Sequence, residues 1–205
     1  QGSFQAGGTV TALLSFAMQQ GAIDAAALTQ QENMIPVSRV VSKWEDVLGF
    51  ATSKFMAAPT LSAVNVAAKQ GHSRIGFVGT PCQITAGAQM RFNQLQADHT
   101  QVPIALTIGL FCNWSLDTRS LLELVPEKMH PSLIVRMDIP PPPANRMQFH
   151  TSKGIEEVPL SEIKPLIPHT CFVCLDLTAE LADLSVGMFE GRPGWNTLIV
   201  RSELG

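Results

Sequence analysis

The chain has 205 residues, of which 45% are hydrophobic and 15% are charged, and its formal net charge is −3 at pH 7. This length is enough for one sizeable hydrophobic core. The charge excludes a broad basic surface of the kind that binds nucleic acid, and no stretch approaches the roughly 18 apolar residues that a membrane span needs.

A glycine pair opens the first predicted helix. Gly7 and Gly8 precede Thr9, and apolar residues then recur at a spacing close to 3.6 residues up to Gly21. Glycines at a helix start let the backbone approach a ligand, and the free N–H groups and the helix dipole favour an anion. Because the pair is not a GxGxxG motif, two interpretations stay open, a phosphate contact and an ordinary turn into a helix.

Strands and helices alternate along the rest of the chain. Strands are predicted at 23–28, 34–41, 74–78, 102–110, 132–139, 182–188 and 197–201, and a hairpin at 147–160. Helical segments are predicted at 44–50, 59–70 and 116–125, and one begins at Pro81. This alternation predicts an α/β fold, a mixed sheet flanked by helices, with cofactors at the carboxyl edge of the strands.

Two cysteines directly follow strands that are predicted to be buried. The strand at 74–78 leads into Pro81 and Cys82, and the strand at 102–110 leads into Cys112. Pro81 suits the first turn of a helix, so Cys82 is expected near a helix N-terminus, where its thiolate is favoured. If the two strands are parallel neighbours, both thiols reach the same edge of the sheet.

Cys171 and Cys174 form a CxxC motif. A tight turn between two such cysteines brings both sulfurs to the same side, so that they can bind one metal centre. Four cysteines are too few for a disulfide-built fold of this size, and we expect a cytoplasmic, reducing setting in which clustered thiolates bind metal. One cubane iron–sulfur cluster, a zinc ion and a pair of core cysteines all stay open from the spacing alone.

Several stretches together resemble the family of beta subunits of the coenzyme F420 hydrogenases and dehydrogenases. They lie in family order and read AGGTVTALLSFAMQQGAIDAA, SKFMAAPTLSAV, FVGTPCQI, IGLFC, CFVCLDLTAELADLSVG and GWNTLIVRSELG. FVGTPCQI followed by CxxCxDxTAELADxSVG is far more specific than a single CxxC. The family includes beta subunits of F420-reducing hydrogenase and F420-linked formate dehydrogenase, and 7-hydroxymethyl chlorophyll a reductase.

The resemblance implies a flavoprotein that carries FAD and a 4Fe–4S cluster. Matched position by position, the cluster ligands are Cys82, Cys112, Cys171 and Cys174. The positions matched to FAD-binding stretches are Gly7, Gly8, Thr9, Thr11, Lys54, Thr60, Gly79, Thr80, Asp183 and Ser185. No catalytic side chain is expected, because the hydride transfer takes place at the FAD.

The resemblance also implies an activity and partners. The expected function is that of an oxidoreductase subunit, which exchanges hydride with coenzyme F420 or a related carrier and passes single electrons to or from a partner hydrogenase or formate dehydrogenase. Pro140–Pro143 stand where many members have a lysine-glycine pair, and Phe55 stands where many have tyrosine. These departures motivate two alternatives, a reductase of another acceptor on the same cofactors and a non-catalytic, metal-stabilised scaffold subunit. Members are usually longer, so residues 1–205 are expected to be one flavin- and iron–sulfur-binding core of a longer protein.

Overall fold

The computed structural model describes residues 8–92, 102–125, 129–192 and 194–205. The helices are α1 (Thr9–Gln19), α2 (Thr60–Lys69), α3 (Pro81–Phe92), α4 (Thr118–Leu124), α5 (Leu160–Ile163) and α6 (His169–Phe172), with 3₁₀ helices at Trp44–Phe50, Pro131–Leu133 and Lys164–Leu166. The strands are β1 (Ala25–Glu32), β2 (Ile35–Val41), β3 (Ile75–Gly79), β4 (Ile104–Leu110), β5 (Ile134–Asp138), β6 (Arg146–Thr151), β7 (Gly154–Pro159), β8 (Leu184–Met188) and β9 (Asn196–Val200).

The main sheet has six strands in the order β2-β1-β3-β4-β8-β9. The four central strands pair in parallel, and each outer strand pairs antiparallel with its neighbour. A second sheet, β5-β6-β7, is antiparallel throughout. The predicted mixed α/β fold with flanking helices is therefore confirmed.

The start of β1 lies later in the chain than the sequence indicates. Ile23 is buried, but Asp24 leaves the strand because its carboxylate accepts hydrogen bonds from the backbone N–H groups of Ser73 (3.0 Å) and Arg74 (3.1 Å). These bonds tie the entry of β1 to the entry of β3. Local apolar spacing cannot reveal this, since the partners are about fifty residues away along the chain.

Helices cover both faces of the main sheet, because strand side chains alternate between the faces. On one face, Leu14 of α1 packs with Leu28 and Ile108. On the other face, Phe77 packs with α2 and with Ile84 of α3. A third cluster of buried residues lies under the small sheet and contains Met56, Leu116, Leu121, Met137, Met147 and Phe149.

No helix within the described ranges is both long and apolar enough to cross a membrane.

Candidate metal centre

Cys82 and Cys112 lie at the same edge of the main sheet. Strands β3 and β4 are parallel neighbours, and their last paired positions are Gly79 and Gly109. Cys82 is the second residue of α3, three residues beyond the end of β3, and Cys112 is two residues beyond the end of β4. The predicted placement of both cysteines beyond the carboxyl ends of neighbouring parallel strands is confirmed.

The CxxC segment reaches this edge through the loop that follows it. Cys171 lies in the short helix α6, and Cys174 follows this helix. The carboxylate of Asp176 accepts hydrogen bonds from the backbone N–H groups of Thr178 (3.1 Å) and Glu180 (3.0 Å), which folds the loop into a compact turn. The backbone N–H of Cys112 donates to the carbonyl of Leu177 at 2.9 Å, so the loop after the CxxC is held against the Cys112 backbone.

Two glycines allow this loop and the turn after β4 to pack closely on the sheet. A Cβ atom at Gly109 would overlap the side chain of Ala179, and a Cβ atom at Gly187 would overlap the ring of Phe111. Both glycines are therefore required by a close approach rather than by a special backbone angle. Phe111 immediately precedes Cys112, so the packing at Gly187 also helps to position that thiol.

The pKa of Cys112 is affected by the other three cysteines. Cys112 is half-buried, and burial raises the pKa of its thiol to about 11, with Cys82, Cys171 and Cys174 each adding to the rise and a backbone hydrogen bond at Trp114 opposing it. The other three sulfurs thus lie within electrostatic reach of the Cys112 sulfur. A cation among them would stabilise the thiolates, and four such donors fit an iron–sulfur cluster.

The ligand roles of the four cysteines stay a prediction. All four cysteines are free thiols, with Cys82 and Cys174 exposed and Cys112 and Cys171 half-buried. Within the described segments, no group of three or more His, Cys, Asp or Glu side chains is arranged to hold a metal ion.

Hydroxyl groups lie beside two of the sulfurs. Thr80 Oγ1 is 3.4 Å from Cys82 Sγ, and Ser115 Oγ is 4.0 Å from Cys171 Sγ. The sequence places Thr80 beside the predicted ligand Cys82 and also matches it to FAD, whereas it does not single out Ser115. For Thr80 a local signal exists, since threonine three residues before Gln83 at a helix start is the pattern of a capping box.

The segment at residues 54–60, which leads into α2, connects the turns that carry Cys82 and Cys112. The backbone N–H of Leu116 donates to the carbonyl of Phe55 at 2.7 Å, which attaches the segment to the chain just after Cys112. The Gln83 side-chain amide donates to the carbonyl of Ala58 at 2.6 Å, which attaches it to the start of α3.

Lys54 and Thr60, both predicted to contact FAD, lie at the two ends of this segment. Burial lowers the pKa of Lys54, whose amino group donates to the hydroxyl of Thr52. Thr60 is buried, and its hydroxyl lies 2.7 Å from that of Thr29 and accepts a hydrogen bond from Gln83 at 3.3 Å. The FAD contacts of both residues stay predictions.

The N-terminus of α1 carries the other predicted FAD residues. Gly7 lies outside the described residues, whereas Gly8 is the N-cap of α1 with a φ of 71° and no side-chain cap. Thr9 accepts a hydrogen bond from the side chain of Asn196 at 2.7 Å, and Thr11 is half-buried. Glycine at the N-cap supplies no side-chain acceptor for the first N–H groups of this eleven-residue helix. The FAD contacts of Gly7, Gly8, Thr9 and Thr11 stay predictions.

Asp183 is the most fully hydrogen-bonded of the predicted FAD residues. It is buried, and its carboxylate accepts from the backbone N–H and the hydroxyl of Thr107 (both 2.8 Å), from Ser202 (2.7 Å) and from Arg91 (3.3 Å). Burial alone would raise its pKa, but these hydrogen bonds and the Arg91 charge outweigh burial and lower it. The network joins α3, β4 and the entry of β8, which are the elements next to the cysteines.

Ser185 and Gly79 also face protein atoms. The Ser185 hydroxyl accepts from Arg201 (2.9 Å) and donates to the carbonyl of Ala179 (3.2 Å). A Cβ atom at Gly79 would lie 2.7 Å from the ring of Phe77. Their contacts with FAD stay predictions, as does that of Asp183.

Comparison with known proteins gives the family of the chain. A profile for the C terminus of the coenzyme F420 hydrogenase/dehydrogenase beta subunit matches residues 72–205, and one for the N-terminal part of the same beta subunit matches residues 2–65. The chain is 32% identical to the coenzyme F420-dependent sulfite reductase of Methanocaldococcus jannaschii and 31% identical to the F subunit of the F(420)H(2) dehydrogenase of Methanosarcina mazei. In each case 98% of this chain is matched. The chain spans 33% of the length of the sulfite reductase and 57% of that of the dehydrogenase subunit.

A solved structure agrees with these matches. A chain of the F420-reducing NiFe hydrogenase complex from Methanosarcina barkeri superimposes with a TM-score of 0.87 at 26% identity, covering 98% of this chain and 70% of that one. The profile matches alone account for most of the sequence, and the matched architecture is the one described above. The chain belongs to the family of coenzyme F420 hydrogenase/dehydrogenase beta subunits, whose members are parts of oxidoreductases.

Proposed function

We propose that this chain is an electron-transfer subunit that exchanges hydride with coenzyme F420 through FAD and passes single electrons through one 4Fe–4S cluster. The observation that carries the proposal is the placement of Cys82 and Cys112 beyond the carboxyl ends of β3 and β4, with the loop after the CxxC bonded to the Cys112 backbone. Family membership supports the same function, since the relatives are named as F420-linked hydrogenase, dehydrogenase and reductase proteins.

Cys82, Cys112, Cys171 and Cys174 would hold the cluster. The half-buried Cys112 thiol lies within electrostatic reach of the other three, and the backbone bond from Cys112 to Leu177 keeps the loop after the CxxC beside it. Burial of part of this group limits contact with water, which is one of the ways in which a protein sets a cluster's potential.

The residues around α1 would hold the flavin. FAD, when bound, accepts two electrons as a hydride and releases them singly, which is the chemistry that a hydride carrier and a one-electron cluster require between them. The N–H groups at the start of α1 would bind the diphosphate. Lys54, with a pKa lowered by burial, lies on the segment that attaches to both cysteine turns and would face the flavin ring.

A partner redox subunit would complete the electron path. The M. barkeri chain that this one resembles is part of a hydrogenase complex. Leu175 is 99% exposed and Val173 is 75% exposed, so the CxxC segment presents apolar surface beside two of the cysteines. Such surface is typical of sites where another protein docks.

The relay is tested by separating its two halves. The anaerobically prepared protein should contain about four irons, four sulfides and one FAD per chain, and reduced F420 should bleach the flavin and then reduce a viologen. In Cys171→Ala, which lacks one ligand, the flavin should still bleach but the viologen should stay oxidised. Viologen reduction at the unmodified rate without a cluster, or stoichiometric zinc in place of iron, would rule the relay out.

The flavin site is tested at the start of α1. Gly8→Val adds a branched side chain beside the N–H groups thought to bind FAD, and bound flavin should be lost while the circular dichroism spectrum is retained. Gly21→Val is the matched control, since Gly21 has a similar φ of 69° but lies beyond the other end of α1 with no atom within 4 Å of its Cβ position. Equal flavin loss in both variants would point to strain rather than to a binding site.

A reductase of a different acceptor is the second candidate. The observation behind it is the proline run Pro140–Pro143, which lies in the connection between β5 and β6 where many family members have a lysine-glycine pair. The same preparation, reduced through its flavin by a viologen, should reduce F420 if the first proposal is right. Reduction of another acceptor, such as a tetrapyrrole, with none of F420 would favour this candidate.

A further inference from the structure

We infer that the hydroxyl of Thr80 sets the reduction potential of the metal centre by donating a hydrogen bond to the sulfur of Cys82. The inference deepens the proposed function and rests on it. Its basis is the distance of 3.4 Å between Thr80 Oγ1 and Cys82 Sγ, together with the hydrogen bonds that hold Thr80 in place.

Gln83 fixes the position of Thr80. The Gln83 amide nitrogen donates to the carbonyl of Ala58 (2.6 Å) and to Thr60 (3.3 Å), so its oxygen must face the other way, toward Thr80. That oxygen accepts from the backbone N–H of Thr80 at 2.9 Å and from the Thr80 hydroxyl at 3.2 Å. Half of a capping box therefore holds the threonine at the start of α3, with its hydroxyl between an amide oxygen and a sulfur.

The single hydroxyl proton of Thr80 has two possible acceptors. When Cys82 is a thiol, its S–H can donate to Thr80 Oγ1 while the hydroxyl donates to Gln83. When the sulfur binds metal, the thiol proton is lost to solvent and the sulfur becomes an acceptor only. The hydroxyl then turns to the sulfur, and Gln83 keeps the backbone N–H of Thr80, so no buried donor is left unpaired.

A hydrogen bond of this kind favours the reduced state of a cluster. Reduction by one electron makes the cluster and its sulfurs more negative, which strengthens a bond donated to them, and the potential rises. No bond is broken in the step, and the electron comes from the flavin or from a chemical reductant. Ser115 is a weaker case of the same contact, because its oxygen lies 4.0 Å from Cys171 Sγ.

The test is a redox titration of the loaded unmodified protein and four loaded variants, with dithionite as reductant and the electron paramagnetic resonance signal of the reduced cluster as the readout. Thr80→Val keeps the shape but removes the donor, and at fixed ambient potential its ratio of reduced to oxidised cluster should fall about two- to tenfold, where tenfold is about 59 mV. Thr80→Ser should restore the unmodified ratio. Ser115→Ala should give a smaller fall than Thr80→Val.

Gln83→Leu separates tuning from simple loosening of the turn. This variant removes the competing acceptor, so the sulfur is the acceptor that remains for the Thr80 hydroxyl. The ratio of reduced to oxidised cluster at fixed potential should therefore stay the same or rise. If Gln83→Leu and Thr80→Val both lower it, the effect comes from the loosened turn and the inference is wrong. An unchanged Thr80→Val protein, or a Thr80→Ser protein that resembles the valine variant, would also overturn it.

These outcomes are distinct from failure of the proposed function. If the unmodified protein binds no iron, the cluster assignment and this inference both fall. If the unmodified protein is loaded and titrates like Thr80→Val, only the role of Thr80 falls.

Discussion

The pKa values of two acidic groups beside β4 and β8 are shifted in opposite directions. Asp183 lies at the entry of β8, and Cys112 lies just beyond the exit of β4. Burial disfavours the charged form of both, yet the pKa of Asp183 is lowered and that of Cys112 is raised to about 11. The difference is in their partners, since Asp183 accepts from Thr107, Ser202 and Arg91, whereas Cys112 lies near three further thiols.

We interpret the Asp183 network as a structural centre and the four cysteines as a functional one. The charge of Asp183 is balanced by groups of this chain, so the Asp183 network stabilises the fold by itself. The four cysteines would repel one another as thiolates, and a bound cation would offset that repulsion. We therefore expect changes at Asp183 to affect folding and changes at the cysteines to affect metal content.

The largest expected effect is loss of metal on Cys112→Ala. Cys112 is one of the four proposed cluster ligands, so iron should fall from about four per chain to near zero. The stability of the metal-free fold should change by only about 1 kcal/mol, because a small side chain is lost. Iron analysis and urea unfolding of metal-free protein measure the two effects. Asn113→Ala, at the exposed neighbouring position, is the control and should keep its iron. A Cys112→Ala protein with full iron content would show that Cys112 is not a cluster ligand.

Asp183→Asn should have the converse effect. The amide cannot accept all the hydrogen bonds that now converge on the carboxylate, and Arg91 loses its counter-charge, so we expect about 3 kcal/mol less unfolding free energy. Iron and FAD per folded chain should stay near the unmodified values, measured after gel filtration. Asp46→Asn, at an exposed position, should change stability by less than about 0.5 kcal/mol. Loss of FAD from folded Asp183→Asn would instead support the predicted flavin contact.

The sequence predicted the cysteine edge better than the Asp183 network. Cys82 and Cys112 each follow a buried strand, and the parallel pairing of those strands brings them together, so local patterns sufficed. Asp183 binds partners 76, 92 and 19 residues away, and its local sequence ADLS does not indicate them. Long-range side-chain networks of this kind depend on the finished packing.

The contacts near the sulfurs that the sequence did not predict also differ in how local their signals are. The TxxQ pattern at Thr80 is local and could have indicated a capped turn, from which the nearness of the hydroxyl to Cys82 follows. The bond from Cys112 to the carbonyl of Leu177 involves backbone atoms only, so no side-chain pattern marks it. The close packing at Gly109 and Gly187 is likewise visible only once Ala179 and Phe111 have been placed.

Gly187→Ala should lower both the stability of the fold and its iron content, with smaller effects than the two variants above. The added methyl group would overlap the Phe111 ring, and overpacking of this kind costs about 2 kcal/mol. Because Phe111 precedes Cys112, its displacement should also lower the fraction of chains that bind iron. Phe111→Leu in the Gly187→Ala background makes room for the methyl group and should restore part of both losses. If stability falls and iron content does not, Phe111 does not position the thiol.

The smallest effect is the pH dependence that Asp183 contributes. Its folded-state pKa lies below the ordinary value of about 3.9, so the folded protein binds fewer protons than the unfolded chain in this range. The stabilisation is therefore fully present above that ordinary value and is lost as the pH falls through the folded-state pKa.

Urea midpoints measured from pH 7 down to pH 3 should decrease as the pH falls. The Cys112→Ala background is used so that acid release of metal does not contribute. Adding Asp183→Asn should flatten the curve below about pH 4, because the titrating carboxyl is gone. Asp24, Asp117 and Glu157 also have lowered pKa values, so the double variant should keep some slope. If the slopes with and without Asp183→Asn are equal, the Asp183 carboxylate does not stabilise the fold through its charge.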